Sequence, residues 1–309
     1  MLITRYLDRG GKPAVGLHRE EGLRPLVGVA SIGQLLRMSA ADIRSVCTQP
    51  AVSPVLEPDF TLLPPIDSLM EVWAAGVTYR RSREARVLES DQSADVYERV
   101  YDAERPELFF KSVAWRVTGH GETVSVRQDS AINVPEPELA LVLNSRGEIV
   151  GYTVCNDVSS RSIEGLNPLY LPQAKVYLGA CAVGPAIRPA WEVNDPYRLG
   201  IHIRIERAGQ TVWEDRANTS GLHRKLGDLA QYLGREDYFP DGVILSTGTS
   251  LVPELPFTLE PHDLVRIEID EVGVLESRVV GGRQHMRWLQ ESLLDPAVRD
   301  CVPEALLGS

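Results

Sequence analysis

Cysteine is scarce in this chain: Cys47, Cys155, Cys181 and Cys301 are all that 309 residues carry. None stands at the short spacing of a thiolate metal site, which excludes a zinc ribbon and a disulfide-framed secreted scaffold. The four read as reduced thiols of a cytoplasmic protein, and Cys155 as a packing residue. Positive charge is also short, with 32 Lys and Arg against 43 Asp and Glu and a net charge of −11. Nucleic acid and anionic membrane both need a basic footprint, so neither is an expected partner. No run approaches the roughly 18 apolar residues of a membrane span. The opening MLITRYLDRG has no long apolar core, so no signal peptide is expected. No G-x-G-x-x-G or G-K-[ST] loop, internal repeat or low-complexity tract occurs.

What is present is the composition of an ordinary globule, 43% hydrophobic and 24% charged, with chain enough for one large domain and a smaller one. The proline-rich stretch Gln49 to Pro65 lacks helical periodicity and marks the boundary. Residues 1–63 read as a small α/β packing or dimerising domain: strands over Met1–Leu7 and Pro13–His18, and a helix capped by Ser31. Residues 64–309 read as a mostly β core. Its strands are Glu71–Thr78, Glu107–Lys111, a hairpin over 199–206 and 210–217, then 241–249, 263–270 and 274–280. The spacing of Leu222, Leu226, Leu229 and Ala230 predicts a helix over 221–232, and the tail beyond Gly281 reads as helical.

The chain is organised around Glu136 to Lys175. Glu136 and Glu138 stand two apart, so on a strand both point to one face. Leu139 to Leu143 is a continuous apolar run, the mark of a strand buried on both sides. Asn144-Ser145-Arg146-Gly147 is turn chemistry, with a return strand over Glu148–Cys155. A four-residue loop pairs Leu143 with Glu148 and sets Glu136 opposite Cys155. Asp157 then shares the face of both glutamates, diagonal to Glu136 at roughly 7–8 Å. A three- or five-residue loop would send Asp157 to the other face. Three carboxylates on one face repel unless something positive sits among them, and all-oxygen donors select a hard cation: magnesium, manganese or calcium. A lone E-x-E is more often a pair of surface glutamates. Here the apolar run beyond Glu138 makes unpaired carboxylates costly.

The runs E-P-E-L-A-L-V-L and G-Y-T-V-C-N-D-V-S-S-R-S resemble the fumarylacetoacetate hydrolase superfamily, from about Pro64 to Val280. The resemblance implies that family's mixed β-sandwich or roll core, and Glu136, Glu138 and Asp157 as ligands of one divalent metal. The family's hydrolases carry G-x-N-Y-x-x-H-x-x-E, whose His and Glu activate water. This chain reads G-V-T-Y-R-R-S-R-E-A, with Ser82 in place of the histidine and the acid one place early, at Glu84. Thr78, Tyr79, Ser82, Arg83, Ala85 and Arg86 are instead similar to the T-Y-x-x-S-R-x-A-R of the 2-keto-3-deoxy sugar acid dehydratase branch. So is S-R-S-I-E-G followed by N-P-L-Y-L-P-Q-A-K, which ends on Lys175. The resemblance further implies Lys111 of F-x-K, Tyr79, Ser82, Arg83, Ser159, Arg161 and the Thr247-Gly248-Thr249 loop as substrate contacts.

These parts fit the dehydration of a small anionic keto acid, most readily a 2-keto-3-deoxypentonate going to 2-oxoglutarate semialdehyde. Magnesium would act as Lewis acid for the enolate formed when a proton leaves carbon 3. Lys175 is the candidate base and Glu84 the candidate acid for the departing hydroxyl. Lys111, Arg83 and Arg161 bring positive charge to an acidic protein. Lys175 is expected to follow a non-helical stretch, Asn167 to Pro172, and to open a strand over Val176–Pro185. Two alternatives stand beside the dehydratase: a metal-dependent C–C hydrolase of β-diketo acids, and a non-catalytic oligomer binding metal or keto acid. A homodimer or homotetramer is expected.

Overall fold

The computed structural model describes residues 1–49, 60–80 and 99–301. In chain order the strands are β1 (Leu2–Leu7), β2 (Pro13–Arg19), β3 (Gly22–Pro25), β4 (Thr61–Leu63), β5 (Glu71–Gly76), β6 (Glu107–Val113), β7 (Thr123–Val126), β8 (Asn133–Val134) and β9 (Pro137–Leu143). They continue as β10 (Ile149–Asp157), β11 (Ser159–Ser160), β12 (Cys181–Pro189), β13 (Gly200–Arg207), β14 (Gln210–Asn218), β15 (Val243–Ser246), β16 (Leu264–Ile269) and β17 (Gly273–Gly281). The helices are α1 (Ile32–Leu36), α2 (Ala40–Thr48), α3 (Arg161–Leu166), α4 (Leu171–Lys175), α5 (Leu226–Leu233) and α6 (Arg287–Glu291).

Two sheets carry the architecture, which is the expected α+β arrangement dominated by strand. The larger runs β3-β2-β1-β12-β10-β9-β15-β5-β6, with β4 beside β1, and the smaller runs β14-β13-β16-β17-β7. Strand β9 lies at the centre of the larger sheet, and its period of two divides the core. Leu139, Leu141 and Leu143 pack with Ile201, Ile203 and Ile205 of the smaller sheet. Ala140 and Val142 pack on the other face with Ile32, Leu35 and Leu36 of α1 and Ile43 and Cys47 of α2. Burial on both faces is why this strand reads as an unbroken apolar run. Ser31 caps α1 by accepting from the Gln34 amide. The strands of residues 1–63 join the edge of the same large sheet, with Ile3 opposite Ile187.

The β9–β10 register differs from expectation in two compensating ways. Leu143 pairs with Ile149, not Glu148, so the loop is five residues, 144–148. Asn144 builds it: its side-chain oxygen accepts from the amides of Arg146 and Glu148, and its amide group donates to Glu148 Oε2. That length alone would send Asp157 to the wrong face. A bulge between Ile149 and Gly151 restores the parity. Glu138 therefore stands opposite Cys155, and the Asp157 amide donates to the Glu136 carbonyl at 2.9 Å. Glu136 and Asp157 are thus direct neighbours, not diagonal ones. At the bulge Gly151 has no room for a side chain, because a Cβ would press on Ile187 and the Arg188 carbonyl.

The segment before Lys175 is helical, contrary to expectation. A single 3-10 turn, Pro168–Tyr170, leads into α4, of which Lys175 is the last residue. Both prolines are compatible with this because they stand in the first turn, where a missing N–H costs no bond. The following strand starts at Cys181. The helix expected over 221–232 begins later, at Leu226, and buries Leu226, Leu229, Ala230 and Leu233.

Candidate active site

The even-numbered row of β9 that faces α1 and α2 runs on into Glu138 and Glu136, which emerge beyond the helices into a cavity. Glu136, Glu138 and Asp157 are buried, and one oxygen from each lies within 4.8 Å of the others. The cavity is small and nearly filled by these side chains, with a volume of about 20 Å³. Its walls include Gly76, Phe109, Thr249, Glu107 and Glu164.

Buried cations hold two of the three carboxylates. The Lys175 ammonium donates to Glu136 Oε2 and Asp157 Oδ2, both at 2.8 Å, and to the Ser159 hydroxyl at 2.6 Å. Arg161 Nη2 donates to Glu136 Oε1 at 3.0 Å. Lys111, in the interior of β6 and not at a strand end, pairs with Asp157 Oδ1 and donates to the carbonyls of Val158 and Lys175. It therefore ties the end of α4 to the end of β10 and fixes where Lys175 points. The face of Phe109 lies 5.5 Å from the Lys175 nitrogen, an attraction that strengthens in a desolvated site.

Glu138 is different. It has no salt bridge among the described residues and accepts instead from the Ser246 hydroxyl at 2.6 Å and the Gly248 amide at 2.7 Å. Burial, then the charges of Asp157 and Glu136, push its carboxyl well above the ordinary range. Cys155, opposite it, hydrogen-bonds Cys181. That bond, with burial, pushes its thiol up as well, so it stays neutral and offers no soft ligand. The donor set is three carboxylates, one of them without a cation of its own. A hard divalent ion among them would let Glu138 ionise, so the residues fit such an ion.

The Thr247-Gly248-Thr249 loop is committed mainly to holding this arrangement. Thr247 Oγ1 donates to the Leu139 carbonyl, and the Thr247 carbonyl accepts from Thr78. Thr249 borders the cavity, its hydroxyl engaged with Leu251. Gly248 has φ +89, and a Cβ there would collide with Thr78 Oγ1 and lie 2.9 Å from the Ala75 carbonyl. Gly248→Ala should cost about 2–4 kcal/mol through strain and overpacking, and should displace the amide that holds Glu138. Thermal denaturation and magnesium titration read the two effects, and a variant normal in both would contradict this role for the glycine.

Tyr79 is buried, and its hydroxyl has no hydrogen-bond partner among the described residues. Burial pushes its phenol up, with Glu138 the next cause. Ser82, Arg83 and Glu84 lie outside the described residues. Sequence reading missed Glu107 and Glu164, the two further carboxylates on the cavity wall. Glu107 stands opposite Gly76 in the sheet, where the absence of a side chain leaves it room. Glu164 lies on the first turn of α3, 3.8 Å from Arg161. Glu107 emerges only from the pairing of β5 with β6, whereas Glu164 is the acid of the S-R-S-I-E-G run, and only the helical turn after Ser160 brings it to the cavity wall.

Residues 71–280 match the fumarylacetoacetate hydrolase C-terminal family. The chain belongs to this family. Within it, the chain is 51% identical over 215 residues to a probable 2-keto-3-deoxyxylonate dehydratase of Haloferax volcanii, covering 70% of this chain and 73% of that protein. It is 46% identical over 224 residues to the 2-dehydro-3-deoxy-D-arabinonate dehydratase of Saccharolobus solfataricus, covering 70% and 74%. A solved structure of 2-keto-3-deoxy-D-arabinonate dehydratase complexed with magnesium and 2,5-dioxopentanoate superposes with a TM-score of 0.79 at 36% identity. That match covers 91% of this chain and 99% of the other.

Proposed function

We propose that this family member is a magnesium-dependent dehydratase of 2-keto-3-deoxy sugar acids, converting a 2-keto-3-deoxypentonate to 2,5-dioxopentanoate, the 2-oxoglutarate semialdehyde expected from the sequence. The observation that carries the reading is the convergence of Glu136, Glu138 and Asp157 on one cavity with Lys175 among them. The names of the two dehydratase relatives support it. Arabinonate and xylonate of one hand differ only at carbons 2 and 3. Both centres disappear in the 2-keto-3-deoxy form, so the two names describe one kind of substrate.

Glu136, Glu138 and Asp157 would hold the ion, and the ion would supply Lewis-acid polarisation of the keto group. Lys175, once neutral, takes the proton from carbon 3. Ser159, Glu136 and Asp157 aim its nitrogen, and Phe109 shields it from water. The hydroxyl on carbon 4 leaves as water with a proton from a wall carboxyl. Glu107 and Glu164 border the cavity and join Glu84 as candidates for that acid. Lys111 acts as a positioning residue for Asp157 and Lys175, and Arg161 for Glu136. Tyr79, Ser82, Arg83 and Thr249 remain the proposed contacts for the sugar chain.

Every described residue that lines the cavity falls after residue 64. This supports a division into a small N-terminal unit, 1–63, and a catalytic unit, 64–309. No helix among the described residues is long and apolar enough to cross a membrane. Cys47, Cys155 and Cys181 are free thiols, in keeping with a cytoplasmic home. Assembly as a homodimer or homotetramer belongs to the same proposal, and sedimentation tests it. The chemistry is tested by a panel of 2-keto-3-deoxypentonate, a deoxyhexonate and an acylpyruvate, each with magnesium and with chelator. Water loss from the pentonate is expected. Cleavage of the acylpyruvate with the pentonate untouched would make the protein a hydrolase.

A further inference from the structure

A second cleft, of about 650 Å³, opens behind the segment that carries Lys175. In a chain of net charge −11, its lining is basic: Arg116, Arg127 and Arg283 against one carboxylate, Asp129. Arg127 consumes that carboxylate, gripping it with Nε at 2.8 Å and Nη2 at 2.6 Å. Its remaining Nη1 donates to the Gln173 carbonyl of α4. Arg116 and Arg283 have no acidic partner among the described residues. Arg116 lies over the ring of Trp115 at 5.0 Å, and its Nε is buried without a hydrogen-bond partner. The hydroxyl of Tyr177, another wall residue, is also buried without one, and the Arg127 guanidinium lies 5.7 Å from the ring. Burial, then the charge of Asp157, pushes that phenol up, so the hydroxyl belongs to the side of the wall that faces Asp157 and Lys175.

A buried donor left without a partner is destabilising, and guanidiniums that line one cleft without acidic partners favour an anion. An acceptor bearing negative charge relieves both. Guanidinium forks match the paired oxygens of a carboxylate or phosphate. We propose that this cleft is a binding site for a small oxyanion, held by Arg116 and Arg283, separate from the cavity of Glu136, Glu138 and Asp157. The shared chemistry is a pair of anionic oxygens, whether on a phosphate or on a dicarboxylate.

The test is titration calorimetry of the full-length protein with inorganic phosphate and, separately, with succinate, at constant ionic strength. Saturable binding of at least one, with a dissociation constant of about 1 mM or tighter, is expected, and the arm that binds identifies the source. Arg283→Gln and Arg116→Gln should each weaken it at least about fivefold and the double variant abolish it. Turnover of the keto acid measured without added anion should not change. Arg283 is exposed, so its variant is read without concern for folding. No saturable heat with either probe would overturn the site, as would binding that survives in the double variant. A change of oligomeric state on Arg283→Glu, with no anion binding in the wild type, would instead assign the cleft to an interface between copies.

Discussion

Glu138→Gln should leave the metal-free protein at least as stable as the wild type while abolishing magnesium binding. The glutamine keeps an acceptor for Ser246 and Gly248, the two groups that hold Glu138. It also removes a carboxyl that burial and two neighbouring carboxylates already drive toward its neutral form. Nothing favourable is lost until a cation arrives. Wild-type protein at a magnesium concentration about 100 times its dissociation constant gains roughly 2.7 kcal/mol of stability, and the variant should gain almost none. The pH dependence has a definite sign. A carboxyl whose folded pKa is raised binds more protons folded than unfolded, so this group's contribution falls as pH rises from its unfolded value of about 4.3. The variant should flatten that slope in metal-free protein. In the wild type, magnesium must displace the same proton, so its affinity should rise with pH. Denaturation curves with and without magnesium check all of this, and a variant that still responds to magnesium would remove Glu138 from the ligand set.

Lys175→Met should have the opposite profile. The ammonium satisfies Glu136, Asp157 and Ser159 at once, and removing it leaves two buried carboxylates short of a partner. The metal-free protein should lose about 3–5 kcal/mol, and magnesium should bind no more weakly than before, because a competing cation has gone. Substrate affinity should stay within about tenfold, roughly 1.4 kcal/mol. Exchange of the carbon 3 proton with deuterated solvent should fall by about 10²–10⁴. Exchange that persists while water loss stops would move the base elsewhere, and Glu84, Glu107 or Glu164 would be the groups to test.

The acidic face was legible in the sequence because a strand's period of two is rigid: Glu136 and Glu138 can only share a face. Asp157 was placed on the correct face by a loop count that was wrong by one and a bulge that was not foreseen. At that bulge Gly151 is required by the crowding of Ile187 and Arg188, a contact between strands more than thirty residues apart. Lys175 was legible as a site residue and illegible in its geometry. The prolines at 168 and 172 read as helix breakers, whereas in a first turn they are compatible with helix. Lys111 has the form of a solvent-facing lysine and is buried by the packing of β6 against the ends of β10 and α4. Repulsion among three bare carboxylates is not what calls for a metal. Two of the three carboxylates already have lysine and arginine partners, and only Glu138 carries the case for an added cation.

The most direct test follows 2-keto-3-deoxypentonate by NMR in deuterated buffer with the full-length protein, first with magnesium and then after excess chelator. Dehydration at this cavity predicts 2,5-dioxopentanoate as the product, deuterium at carbon 3, and arrest when the chelator is added. Chain cleavage in place of water loss, or turnover that ignores the chelator, would contradict it.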